Sequence, residues 1–473
     1  MVLTGRTPRR RRLATVTALT CAVVLGVMGC TAADSDGFRP GAADAGDSYV
    51  PGRGNGGYDV AHYNLDVRYD PTTDRLTGRA TIAATTTQAL SRFNLDLAGL
   101  DVGAVTVDKT RAEHRRDDGE LVVTPHDRLP RGRPFTVVVD YGGVPTAVAD
   151  GALGSGGFLH TDDGAIALGQ PDSAATWFPV NDHPSDKASY DIAVTVPDGL
   201  SALSNGVPGP KTSADGWTTW RWSERTPMAS YLSTLVVGNY RVVSGSHAGR
   251  PIVTAVSASL PATGGAATSL ARTGEIVDFL ASRFGPYPFD SYGGIVVADD
   301  RIGYALETQS RPVYGPAFFT DDRPNPGVVA HELAHQWFGD SVSLSRWGDI
   351  WLNEGFASYA EWLWEEHDGG RTAQRNFELQ YAVTDWSQPS VEPGRERMFG
   401  TAVYKRGALA VHALRRTVGD DTFFRILRTW TTERAGGNAT TADFVALAER
   451  VSNRQLRPLL DAWLVGGAAP TLP

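Results

Sequence analysis

HELAHQWFGD, residues 331–340, sets two histidines four positions apart with a glutamate beside the first. The chain has ten histidines in 473 residues, and only His331 and His335 stand at this spacing. Residues four apart on an α-helix share one face, their Cβ atoms about 5–6 Å apart. Two imidazole nitrogens can therefore aim at one point, and a catalytic zinc takes a third protein ligand while keeping one position open. IWLNEGFASYAEW (350–362) supplies that ligand, because Glu354 follows His335 after eighteen intervening residues. The gap lets the first helix end near Gly339, turn through a loop and start a second helix with Asn353 as its cap. Glu354 then falls in the first turn, facing the histidines. Two imidazoles and one carboxylate favour zinc, one ion per chain. Glu332 is rotated by about 100° from His331, out of the ligand position. It is the candidate general base, able to take a proton from an attacking water and pass it to a leaving amine.

Outward from this stretch the chain divides into two halves, as its length leads one to expect. From 58 to 245 it alternates with period two, in HYNLDVRYD (62–70), RATIAATTT (79–87), PFTVVVDYG (134–142) and SYDIAVTVP (189–197). Turn residues separate these runs, which is the pattern of a largely antiparallel, all-β domain. Over 246–473 the period becomes helical, in 267–285, 325–340, 353–370, 405–419 and 441–452. A small sheet built from YGGIVVADD (292–300) and the segment around RIGYALETQ (301–309) precedes the histidine helix. The second domain is therefore α+β and mostly α.

The N-terminus reads as an address. RTPRRRR (6–12) is basic, and LATVTALTCAVVLGVM (13–28) is apolar and uncharged. Residues 1–29 form an export signal, compatible with twin-arginine export. VMGC (27–30) resembles a bacterial lipobox, which implies lipidation at Cys30 and anchorage to the outer face of the cell membrane; secretion is the alternative. Residues 30–57, rich in Gly, Asp, Ala and Ser, read as a flexible tether. The other cysteine, Cys21, lies inside the apolar run, so the body has no disulfide and no cysteine ligand. The net charge is −9, and the first 29 residues hold five arginines and no acid, so the body is more acidic still. An acidic body excludes nucleic acid as a partner.

HELAHQWFGD followed by WLNEGFASY resembles the aminopeptidase N family of zinc metallopeptidases, and the likeness extends from about 58 to 473. It implies a saddle-like N-terminal β domain and a thermolysin-like catalytic domain entered at FGPYPFDSYG (284–293). It also implies a zinc-dependent aminopeptidase acting on peptides, expected as a monomer. The family's G-x-M-E-N exopeptidase motif corresponds to IGYALETQ (302–309), with Leu306 for Met and Thr308 for Asn. Glu307 takes the place of the glutamate that grips the substrate's α-ammonium, a fixed anion suited to a cation. GQPDSAATWFP (169–179) resembles the segment that contributes to the same site through Gln170. FGTAVYKRGALAVHAL (399–414) resembles the family's Y-x-K-G-A stretch, which gives Tyr404 the role of steadying the oxyanion. Longer members continue into further domains, whereas this chain ends at LLDAWLVGGAAPTLP (459–473), so an open cleft is expected. Two other readings follow from these departures: a zinc endopeptidase with an open cleft, and a non-catalytic surface binding protein on the same scaffold.

Overall fold

The computed structural model describes residues 37–150, 153–319 and 323–473. The export signal, Cys30 and the start of the tether lie outside the described residues. The β half holds three sheets. The largest has nine strands, with Tyr58–Asp70, Arg75–Thr86, Pro134–Gly143 and Lys187–Pro197 at its centre. Alternation places Tyr63, Leu65, Val67 and Tyr69 in the core. Tyr58 and Val60 are buried as well, out of step with that row, because a bulge between Val60 and His62 shifts the register by one residue. A second, four-stranded sheet contains Leu90–Asp96 and Glu120–Thr124; the third has five strands and includes Gly154–His160 and Ala165–Leu168.

Tyr240–His247 pairs along its length with Arg250–Ser257, and both belong to the five-stranded sheet of the second half. The structural boundary therefore falls near Asn239 and not at 245. The hairpin carries the chain into the catalytic half before the helical period begins. In that sheet Val313–Tyr314 lies between Tyr292–Val296 and Ala305–Leu306, parallel to the first and antiparallel to the second. The segments expected to form one pair are thus joined through a third strand.

Helices α1 (Gly265–Leu270), α2 (Thr273–Phe284), α3 (Pro326–Ala334), α4 (Trp351–His367), α5 (Ala373–Val383) and α6 (Gly407–Val418) pack against this sheet and one another. Three more follow to Leu464. α4 and α6 cross at two glycines. A Cβ on Gly355 would meet the Gly407 Cα at 3.0 Å, and one on Gly407 would meet the Gly355 Cα at 2.8 Å. Only bare backbone permits this approach.

Residues 37–57 are not a free tether. Val50 is fully buried and Tyr49 nearly so. The Asp47 carboxylate accepts the Trp347 N–H at 2.7 Å, Tyr49 Oη donates to Glu392 at 3.1 Å, and the Asn55 N–H reaches Asn181 Oδ1 at 2.6 Å. The segment straps the β half to the helical half. Its composition is poor in apolar residues, but its polar groups find partners far away in sequence. Lys187 makes another bridge, donating from the β half to the carbonyls of Asp340 and Ser341 at 2.8 and 3.0 Å.

Candidate metal centre

α3 starts where the chain dictates. The Asn325 side chain accepts the Val328 N–H at 3.2 Å, and Pro326 opens the helix, where its missing N–H is harmless. The helix ends at His335, sooner than the apolar run predicts, and Gly339 takes a φ of 129° in the turn that follows. α4 begins at Trp351, so Asn353 is inside its first turn and not the cap; its amide donates to Tyr231 Oη at 3.4 Å. Glu354 does occupy that first turn.

The two helices bring His331, His335 and Glu354 together. Glu354 Oε2 is 3.3 Å from His331 Nε2 and 3.4 Å from His335 Nε2. All three side chains are buried. The remaining nitrogens are engaged: His331 Nδ1 lies 2.6 Å from Glu361 Oε1, and His335 Nδ1 lies 3.1 Å from the Phe338 carbonyl. These contacts hold each Nδ1–H as donor and leave each Nε2 facing the space that Glu354 Oε2 also faces, where a cation can take both lone pairs. The donor set fits a dication, since two imidazole nitrogens and one carboxylate oxygen converge with their outer shell satisfied. Glu361 was not singled out in the sequence. Its signal was there, because it stands seven residues after Glu354 and so on the same helix face.

The three side chains open onto a cavity of about 380 Å³. Glu332, Glu307, Gln170 and Tyr404 all line it. Burial pushes the Glu332 carboxyl up to about 8, and His331 and His335 oppose that rise. Gln170 Nε2 donates to Glu307 Oε1 at 3.0 Å, joining a loop of the β half to the strand end of the catalytic half. Burial raises the Glu307 carboxyl while His335 draws it down. Tyr404 sits on a π-helical turn, Ala402–Arg406, and its ring lies 6.1 Å from that of His331. Such turns widen a helix locally and re-aim side chains. Burial, with Glu354 and Glu307 nearby, keeps the phenol protonated far above its ordinary range. His412 lies apart from the cavity, bonded to Tyr359 and Gln374, and is an ordinary helix residue.

Residues 60–232 match the peptidase M1 N-terminal domain, and residues 268–463 match the peptidase family M1 domain. The chain belongs to peptidase family M1. An M1 zinc metallopeptidase from Deinococcus radiodurans, solved as a mutant bound to a Tyr-Ser-Ala substrate, superposes with a TM-score of 0.84 at 32% identity. The match covers 91% of this M1 chain and 99% of that one. A two-domain M1 zinc metallopeptidase bound to L-arginine gives 0.83 at 31% identity, covering 91% and 99%. Among curated relatives, aminopeptidase N of Acetobacter pasteurianus is 29% identical over 74% of this chain and 99% of its own length. Glutamyl aminopeptidase of Rattus norvegicus is 27% identical over 85% of this chain but only 46% of its own length. The M1 chain thus spans under half of that longer relative. Family membership implies zinc, in agreement with the donor set.

Proposed function

We propose that the protein is a zinc-dependent aminopeptidase that removes N-terminal residues from peptides. The observation that carries this reading is the Glu307–Gln170 pair, hydrogen-bonded at 3.0 Å on the wall of the same cavity as the three ligands. A carboxylate and an amide oxygen on one side of the ligands suit an ammonium and give no reason to bind an internal peptide unit. His331, His335 and Glu354 would hold one zinc per chain, which when bound supplies Lewis acidity to the scissile carbonyl and the attacking water. Glu332 takes the water's proton on its carboxylate and returns it to the leaving amine. Glu332 lines the same cavity as the three ligands, within reach of a water bound there. Tyr404 donates its phenolic hydrogen to the developing oxyanion, and Glu307 accepts from the substrate's ammonium. Purified protein should release the arylamine from leucyl-arylamide, lose that activity to a chelator and regain it with zinc. No release from zinc-loaded protein would refute the reading.

A second reading, a zinc endopeptidase, draws on the open side of the cavity, where it meets two further cavities. It predicts cleavage of N-acetylated peptides. Export and lipidation at Cys30 rest on the sequence; loss of labelled palmitate incorporation in Cys30→Ser would support them, and unchanged incorporation would contradict them.

A further inference from the structure

Four carboxylates face the metal cavity: Glu307, Glu332, Glu354 and Glu361. Among the described residues lining it, the single lysine or arginine is Lys405. That residue also lines two adjoining cavities, of about 600 and 370 Å³. The larger shares Gly327 and Glu361 with the metal cavity, and α5 contributes to it the exposed apolar side chains Leu379 and Val383. Gln170 and Glu307 line neither of the two. A peptide whose ammonium rests on Gln170 and Glu307 therefore crosses the metal ligands and leaves past Glu361 and Lys405.

Lys405 and its neighbour Arg406 point to different tasks. Arg406 is fully buried and donates to the carbonyls of Trp463 at 2.6 Å and Trp386 at 2.9 Å, so its charge is used inside the fold. Lys405 is half-exposed, and among the described residues its ammonium has no hydrogen-bond or ion-pair partner. The nearby anion, Glu361, is already held by His331. The π turn that carries Lys405 also carries Tyr404, so the lysine is set at a fixed station relative to the ligands.

We propose that Lys405 selects substrates with a carboxylate within the first few residues beyond the scissile bond. This inference rests on the aminopeptidase reading. Among the described side chains lining this acidic cavity, the Lys405 ammonium is the one that attracts a substrate anion beyond the metal position. The carboxylate has two sources of the same chemistry: the C-terminus of a di- or tripeptide, or an acidic side chain of a longer peptide.

The test compares Leu-Ala-Ala as free acid and as C-terminal amide, and amidated Leu-Ala-Asp-Ala-Ala with its all-alanine counterpart. The expected result is roughly tenfold higher kcat/KM for the carboxylate-bearing member of at least one pair, mainly through KM, shrinking as salt rises. The first pair reports the C-terminal source and the second the side-chain source. Lys405→Gln should bring the ratio to about one, Lys405→Glu should invert it, and Lys405→Arg should keep it. Equal rates within both pairs, or a preference that survives Lys405→Gln, would overturn the proposal. Protein that cleaves leucyl-arylamide with no such preference keeps the aminopeptidase reading and loses this one; protein that releases nothing from any of these substrates loses both.

Discussion

At the residue scale, two glutamates that line the cavity, Glu332 and Glu361, have separate tasks. Glu332→Gln should lower kcat by about a thousandfold, the range for a general base, while zinc content measured by mass spectrometry stays at one per chain. Glu361 acts through His331, which it holds at 2.6 Å. Glu361→Gln should weaken zinc binding by about 10–100-fold, read by competition with a chromophoric chelator. Unchanged affinity would leave Glu361 no part in holding the imidazole. The meeting of His331, His335 and Glu354, with Glu332 on the same cavity, was legible in the sequence because a helix repeats every 3.6 residues and the spacing follows from that. Glu361 shares a helix face with Glu354, but its task was not legible, and neither was that of Lys405. Nothing local distinguishes a carboxylate that meets an imidazole from one that meets water, and the direction of Lys405 depends on a π turn that periodicity does not foretell.

At the element scale, the crossing of α4 and α6 joins two parts of the site. Gly355 follows Glu354 directly, and Gly407 comes three residues after Tyr404. The close backbone approach at these two glycines therefore fixes the tyrosine turn against the helix that carries Glu354. Gly407→Ala should destabilise the fold by about 1–3 kcal/mol through overpacking. It should also lower kcat more than it raises KM, because Tyr404 would shift while the ammonium site stays. Denaturant unfolding together with steady-state kinetics checks both. The helix expected over 441–452 forms over those residues, since Thr440 and Asp443 make a reciprocal cap visible in the sequence. The helix expected over 267–285 breaks into α1 and α2 instead, and α3 stops early. Apolar periodicity continues through these points, but the chain turns there to meet partners from other elements.

At the scale of the whole molecule, the halves meet through polar groups that composition alone does not reveal. The strap 37–57, Lys187 and the Gln170–Glu307 pair all cross the divide. Glu224 belongs to the same buried polar layer. Burial pushes its carboxyl up to about 7, against the hydrogen bond from the Thr226 N–H. A carboxyl raised in the folded state binds more protons there than when unfolded, so its contribution favours folding at low pH. That contribution falls as pH climbs from about 4.5 to about 7. Glu224→Gln should flatten the decline by on the order of 2 kcal/mol, measured as unfolding free energy at pH 5 and pH 8. An identical slope in the variant would remove Glu224 from the account. The central claim, that one cavity joins a zinc site to an ammonium site, is tested most directly by one peptide in two forms. Zinc-loaded protein should release the N-terminal residue from the free peptide and leave the N-acetylated peptide intact, both followed by mass spectrometry. Cleavage of the acetylated peptide at a comparable rate would contradict it.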